Sequence, residues 1–177
     1  MTTPTEQTIY QVEVKLCLAK LAFPPAAGWR VNVHLDPMEL ARGGQHAAGK
    51  RERAAAAAEA LAALGATIGQ HDQYGRVDLV ADHVDHGRHF IEVEGNSSRQ
   101  RDQALYSCLG QLLLTMMMWA PPVHYGIAVP HTPGWHQQLS RIPRVVRERL
   151  SIDLYLVGID SLVKIGPNED LQRALRT

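Results

Sequence analysis

Residues 75–118 read GRVDLVADHVDHGRHFIEVEGNSSRQRDQALYSCLGQLLLTMMM, and the order they spell, strand, tight turn, strand, long helix, decides the fold class. Arg76–Val84 is an apolar run interrupted by Asp78 and Asp82. Asp85-His86-Gly87-Arg88 carries turn chemistry, because glycine supplies the positive φ of a tight hairpin turn. His89–Glu94 alternates, with Ile91 and Val93 on one face and Phe90, Glu92 and Glu94 on the other. Folded about His86-Gly87, the hairpin is expected to set Asp78 across from Glu94 or Gly95, and Val80 across from Glu92. Cross-strand and diagonal neighbours lie roughly 5 to 8 Å apart, so Asp78, Glu92 and Glu94 are expected to converge. Glutamate is depleted in strands, and two of them with only Val93 between call for a reason. Three carboxylates on one patch suit a hard divalent cation, since Mg²⁺ takes oxygen ligands, commonly one or two carboxylates plus substrate phosphate oxygens. Such an ion polarises a phosphoryl group and generates hydroxide from water. A solvated hairpin face that is merely acidic is the other explanation, and the hairpin alone leaves both open.

Asp78 on one strand, Glu92-Val93-Glu94 on the next and a helix after them resemble the signature of the restriction-endonuclease-like PD-(D/E)XK nucleases. Gly75 and Arg76 resemble the Gly-Arg-X-Asp lead-in of many members, and Gln103 or Gln111 resembles the helix glutamine of several subfamilies. Glu94 departs from the pattern, standing where the family usually has lysine; some members with Glu-X-Glu are active. The likeness spans roughly Ala54 to Ile165. It implies an α/β fold with a restriction-endonuclease-like core, a central mixed sheet flanked by helices. It also implies a metal-dependent nuclease that hydrolyses phosphodiester bonds, in DNA rather than RNA. Asp78, Glu92 and Glu94 would hold Mg²⁺ or Mn²⁺, with Glu94 a further ligand or a base for the attacking water. Arg99, Gln103 and Gln111 would position phosphate or water. Cutting both strands of a duplex needs two such sites, hence an expected homodimer. The alternative implied by Glu94 is a catalytically inactive member acting as a binding or assembly module.

The whole chain bounds these expectations. It has 177 residues, enough for one domain with a proper core. Hydrophobic content of 45% and charged content of 20% fit a globular protein. Formal net charge is zero, so any nucleic-acid face must be a local patch. Arg76, Arg99, Arg101, Lys50 and Arg51 are the candidates for it. The two cysteines, Cys17 and Cys108, have no metal-binding spacing, and Cys108 falls on the apolar stripe of a helix. The polar start MTTPTEQT suggests no secretory leader, and LLLTMMMWA is too short to span a membrane, so a cytoplasmic location is expected.

In chain order, Tyr10–Leu18 alternates like a strand, although a helical stripe of Tyr10, Val14, Cys17, Leu18 and Leu21 also fits; the strand is preferred. Ala22–Gly28 breaks the chain, and Trp29–Leu35 alternates again. Together they suggest an N-terminal β-hairpin added to the core, giving an extension over 1–46, a core over 47–166 and a tail over 167–177. Asp36–His46 reads as a loop and Ala48–Leu64 as an alanine-rich helix ended by Gly65. Glu52 and Glu59 on that helix are weak candidates for an added metal ligand. Residues 44–50 match GxxxxGK, but Arg51 follows where a phosphate-binding loop needs Ser or Thr. Ala66–His71 is a short strand. The long helix is expected from Ser98 to Met118, with Ser97 and Gln100 as a capping box. Leu105, Cys108, Leu109, Leu112, Leu113 and Met116 form its apolar stripe. Val123–Val129 is a strand, Trp135–Leu150 a helix bent at Pro143, and Ile152–Gly158 and Leu162–Ile165 are closing strands. His83, His86 and His89 recur every third residue, but on a hairpin their side chains are expected to diverge. Neither GxSxG nor GxGxxG occurs.

Overall fold

The computed structural model describes residues 8–42, 46–96, 100–116 and 123–175. The chain begins with a helix. Helix α1 spans Gln11–Leu21 and buries Val12, Val14, Lys15, Cys17, Leu18 and Ala19. Its start is fixed by Glu13, whose carboxylate accepts the Tyr10 N–H at 2.8 Å, which satisfies one orphan donor of the first turn. It stops before Pro24, which disfavours helical backbone at Phe23. A 3₁₀ turn, Pro25–Ala27, then leads through Gly28 at φ +95° into strand β1, Arg30–Val33. Helix α2, Lys50–Ala63, follows the loop, and then the short strand β2, Thr67–Ile68. The hairpin is β3, Leu79–His83, and β4, Gly87–Val93. Helix α3 is Arg101–Met116 and strand β5 is Val123–Pro130. Helices α4, Pro133–Leu139, and α5, Arg144–Leu150, lie on either side of Pro143. Strands β6, Ile152–Val157, and β7, Leu162–Ile165, and helix α6, Leu171–Ala174, complete the chain.

All seven strands belong to one mixed sheet, in the order β2-β1-β3-β4-β5-β6-β7. Neighbours β1/β3, β3/β4 and β6/β7 are antiparallel; β1/β2, β4/β5 and β5/β6 are parallel. Each parallel step is bridged by helix, as a parallel crossover demands. One face packs Val80, Phe90, Ile127 and Leu154 against Leu105 and Leu112 of α3 and Trp135 of α4. The other packs Leu79, Ile91, Val93 and Val157 against Val14 and Leu18 of α1. Val12 joins Ala54 and Ala57, so α1 is sandwiched between the sheet and α2. A fully buried Leu, Ile or Phe contributes about 1.5–3 kcal/mol relative to leaving it in water, and both faces of the inner strands are occupied.

The α/β class and the sheet flanked by helices hold. Four expectations are corrected. Residues 10–18 are helix, and β1 pairs with β2 and β3, so the N-terminal segment forms no added hairpin but part of the sheet and its cover. The β3–β4 register sets Leu79 opposite Ile91 and Val80 opposite Phe90. Val84, Asp85 and His86 all lie in the turn, two residues' worth of slip from the expected pairing. Helix α3 starts at Arg101, and Ser97, Ser98 and Arg99 lie outside the described residues. His83, His86 and His89 do not diverge: each has its ring centroid within 5.8 Å of the Trp29 centroid. No helix among the described residues is long and apolar enough to cross a membrane.

Candidate active site

Asp78 sits one residue before β3, and Glu92 and Glu94 lie at and just past the end of β4. The observed register brings Asp78 level with Glu92 rather than Glu94. Asp78 Oδ2 accepts the Val93 N–H at 2.9 Å and the Gln11 side-chain amide at 3.5 Å. Glu92 is 3% exposed. Its carboxyl is pushed up to about 9, first by burial, then by the neighbouring Asp78, which accepts a hydrogen bond from it. Glu94 is raised to about 7 by burial and by Asp78 and Glu39. The three predicted carboxylates therefore do share one patch, at the end of the sheet under the first turns of α1.

Two residues that sequence inspection passed over complete the patch. Lys15 of α1 is 0% exposed. Its Nζ donates at 2.8 Å to Asp78 Oδ1, at 2.8 Å to both oxygens of Glu39, and at 2.7 Å to the His34 carbonyl. Burial pulls the Lys15 ammonium down, and Asp78 and Glu39 outweigh it, so the group stays charged with its pKa above the ordinary lysine value. Glu39, in the loop after β1, is raised to about 7 by its own burial, which the attraction of Lys15 only partly offsets. The loop is held by Asp36, whose carboxylate accepts the Glu39 N–H at 2.8 Å. His34 lies beside them, its pKa lowered by burial and by Lys15, so its imidazole is neutral at neutral pH. The one clue in the sequence was Lys15 itself, a cation set between the apolar residues Val14 and Leu16-Cys17-Leu18-Ala19.

The connection after Glu94 is as tightly held. A Cβ on Gly95 would fall 2.5 Å from the Gln11 nitrogen and 3.0 Å from the Tyr10 carbonyl carbon, so only glycine lets the chain pass under the start of α1. Asn96 N–H donates to the Ile9 carbonyl at 2.8 Å just beyond. On the other side Cys108 of α3, buried with its thiol pKa pushed up by burial and by Glu94, closes the patch.

The remaining candidates are dispersed. Gln103 and Gln111 are exposed on α3 and hydrogen-bond no carboxylate of the cluster among the described residues. Arg76 is exposed, two residues before Asp78. Lys50 donates to the Met38 carbonyl at 3.1 Å, close to the Tyr10 ring, and Arg51 is exposed beside it. The Arg101 guanidinium packs against Gly134 of α4, away from the carboxylates. Arg99 lies outside the described residues. Glu52 and Glu59 are exposed on α2 and take no part.

Four carboxyl groups thus surround a single ammonium group. The donor set is all oxygen and in excess of negative charge, which suits Mg²⁺ or Mn²⁺ in chemistry. In arrangement, no three His, Cys, Asp or Glu side chains among the described residues are set to hold one metal ion, and Lys15 bonds both Asp78 and Glu39. Compared with models of protein families, with curated proteins and with solved structures, the chain matches none of them.

Proposed function

We propose that this chain is a metal-dependent nuclease with a restriction-endonuclease-like core, cutting phosphodiester bonds in DNA at the Asp78–Glu92–Glu94 patch. The observation that carries this is Lys15. Glu94 occupies the place where the resembled family has its lysine, and a buried lysine from α1 reaches the same patch from the other side, bonded to Asp78. The element order also supports it: a helix, three antiparallel strands β1, β3 and β4, then helix α3 and the parallel strand β5.

In this proposal Asp78 and Glu92 would hold the Mg²⁺ or Mn²⁺, which when bound supplies charge neutralisation at the phosphoryl group and an activated water. The chain's own groups supply the rest. Lys15, with all three donors used inside the protein, would hold Asp78 in position and lower the negative charge of the patch rather than touch the phosphate itself. Glu94, raised to about 7, is poised near operating pH to take a proton from water, which is where a general base is most effective. Arg76, exposed two residues before Asp78, and Lys50, bonded to the carbonyl of Met38 beside Glu39, would contact phosphate. A homodimer would cut both strands.

A second reading, a non-catalytic binding module of this fold, is favoured by one observation: Lys15 and the Val93 N–H already occupy the two oxygens of Asp78.

The test is Mn²⁺- and Mg²⁺-dependent cleavage of single-stranded, duplex and branched DNA and RNA, with Glu92→Ala and Lys15→Ala alongside. Cleavage by the parent chain, lost in both variants, is expected. An inert parent chain whose melting temperature does not respond to either metal would remove the nuclease proposal and leave the binding module.

A further inference from the structure

A second polar recess lies towards the other end of the hairpin, four residues back along β4 from Glu92, about 13 Å at the rise of a strand. It has a volume of about 520 Å³ and opens between the outer face of β1 and the turn over residues 70–74. Its floor is rigid. Arg88 donates to Asp82 at 2.5 Å and to the Tyr74 hydroxyl, with its guanidinium stacked over the Tyr74 ring at 4.5 Å. Tyr74 is 3% exposed and packs on Phe90, so this platform belongs to the core. The turn itself is closed by paired hydrogen bonds between His71 and Gly75.

What lines the recess is unfinished. The Arg30 side chain, on β1, makes no hydrogen bond or close ion pair among the described residues; Asp82 stands opposite it and attracts it, but the close bond of Asp82 goes to Arg88, so two guanidinium groups share one carboxylate. Asn32, two residues along the same face of β1, has a buried Oδ1 that accepts nothing among the described residues. His71 accepts the Gln73 and Tyr74 N–H groups on Nδ1, at 3.1 and 3.4 Å, so its proton sits on Nε2 as a further donor. Asp72, also on the lining, lies on the exposed turn where solvent screens it. The open valences are therefore a guanidinium and an imidazole N–H that want an anionic acceptor, and one amide oxygen that wants a donor.

We propose that this recess binds the phosphoryl group of a phosphate ester that also carries hydroxyl groups. Arg30 and His71 Nε2–H take the phosphoryl oxygens, since guanidinium bonds to phosphate are charge-assisted and geometrically matched. Asn32 Oδ1 takes a hydroxyl. The site is separate from the carboxylate patch and stands whether or not that patch cuts nucleic acid. A free mononucleotide and the backbone of a nucleic-acid strand share this chemistry.

The test is a titration of the full chain followed by amide NMR, using adenosine 5′-monophosphate, adenosine, inorganic phosphate and a short single-stranded oligonucleotide without terminal phosphate. The monophosphate is expected to shift the resonances of Asn32, His71 and Gln73, and to bind at least about tenfold more tightly than adenosine or inorganic phosphate. Arg30→Gln, an exposed substitution that leaves the core intact, is expected to weaken the monophosphate at least about tenfold. If the oligonucleotide moves the same resonances, the ligand is a strand; if only the monophosphate does, it is a small molecule. The proposal falls if adenosine binds as tightly as its phosphate, if Arg30→Gln changes nothing, or if no probe moves these resonances at millimolar concentration.

Discussion

Lys15 is buried among carboxyl groups, and its removal separates two roles that a charged residue can have. With three donors on Nζ and three acceptor groups in place, the ammonium is fully satisfied. Replacing a buried ion-pair partner leaves the other charges uncompensated, which typically costs about 3–5 kcal/mol. Lys15→Met is therefore expected to destabilise the fold by about that amount at pH 8, where Asp78, Glu39 and Glu94 would face one another with no cation between. The loss should shrink at pH 5, because Glu39 and Glu94, with folded-state values near 7, take up protons and no longer need the ammonium. Urea unfolding of parent and variant at the two pH values measures this. An equal loss at both would mean that Lys15 contributes by filling space rather than by charge. Sequence inspection missed Lys15 and Glu39 for a physical reason: they are 24 residues apart and meet only when the loop after β1 folds back over α1. Asp78, Glu92 and Glu94 were legible because they share one hairpin.

At the scale of elements, the hairpin and the helix after it were legible and α1 was not. Strands β3, β4, β5, β6 and β7 and helices α2 and α3 fall within a few residues of their expected places, since each has one buried side or a buried run and a clear stop. Helix α1 is buried against the sheet by Val14 and Leu18 and against α2 by Val12. With apolar residues on two sides, its pattern no longer has one stripe, and alternation over Tyr10–Leu18 imitates a strand. The hairpin register slipped because His86-Gly87 looked like the centre of a two-residue turn, whereas Gly87, at φ +73°, instead begins β4 opposite His83. The position of α1 relative to β4 depends on Gly95. A methyl group there would meet backbone atoms of Tyr10 and Gln11, which have no rotamer by which to give way. Gly95→Ala is expected to cost about 1–3 kcal/mol, the usual range for overpacking. It should also loosen the Asn96 to Ile9 hydrogen bond. Thermal unfolding together with amide exchange at Asn96 checks both. Unchanged stability with full protection of that amide would show that α1 can shift at no cost.

For the whole molecule, formal net charge is zero and the sequence pI is about 7.1, so no overall charge repulsion sets how stability varies around neutral pH. The buried cluster does. Glu39 and Glu94 rise from 4.5 to about 7, and Glu92 to about 9. An acid whose folded-state value is raised holds its proton in the folded chain over a range where the unfolded chain has released it. Stability then falls as pH rises from the unfolded value to the folded one, and levels off above that. The chain should accordingly be most stable at about pH 5, lose stability through 7, and go on losing it more slowly to about 9 as Glu92 ionises. This slope is opposite to that of a protein stabilised by salt-bridged carboxylates of lowered pKa. Glu92→Gln keeps the shape and a hydrogen-bond donor for Asp78 but cannot ionise. It is expected to match the parent chain at pH 5, exceed it at pH 9, and flatten the upper part of the profile. Chemical denaturation across pH 5 to 9 in a metal-free buffer gives both curves. A parent profile that rises with pH would mean that these carboxyls are compensated in the folded chain by cations beyond Lys15. Adding Mn²⁺ at pH 8 should then raise the parent more than the Glu92→Gln chain, because Glu92 can give up its proton to ligate the ion and the amide cannot.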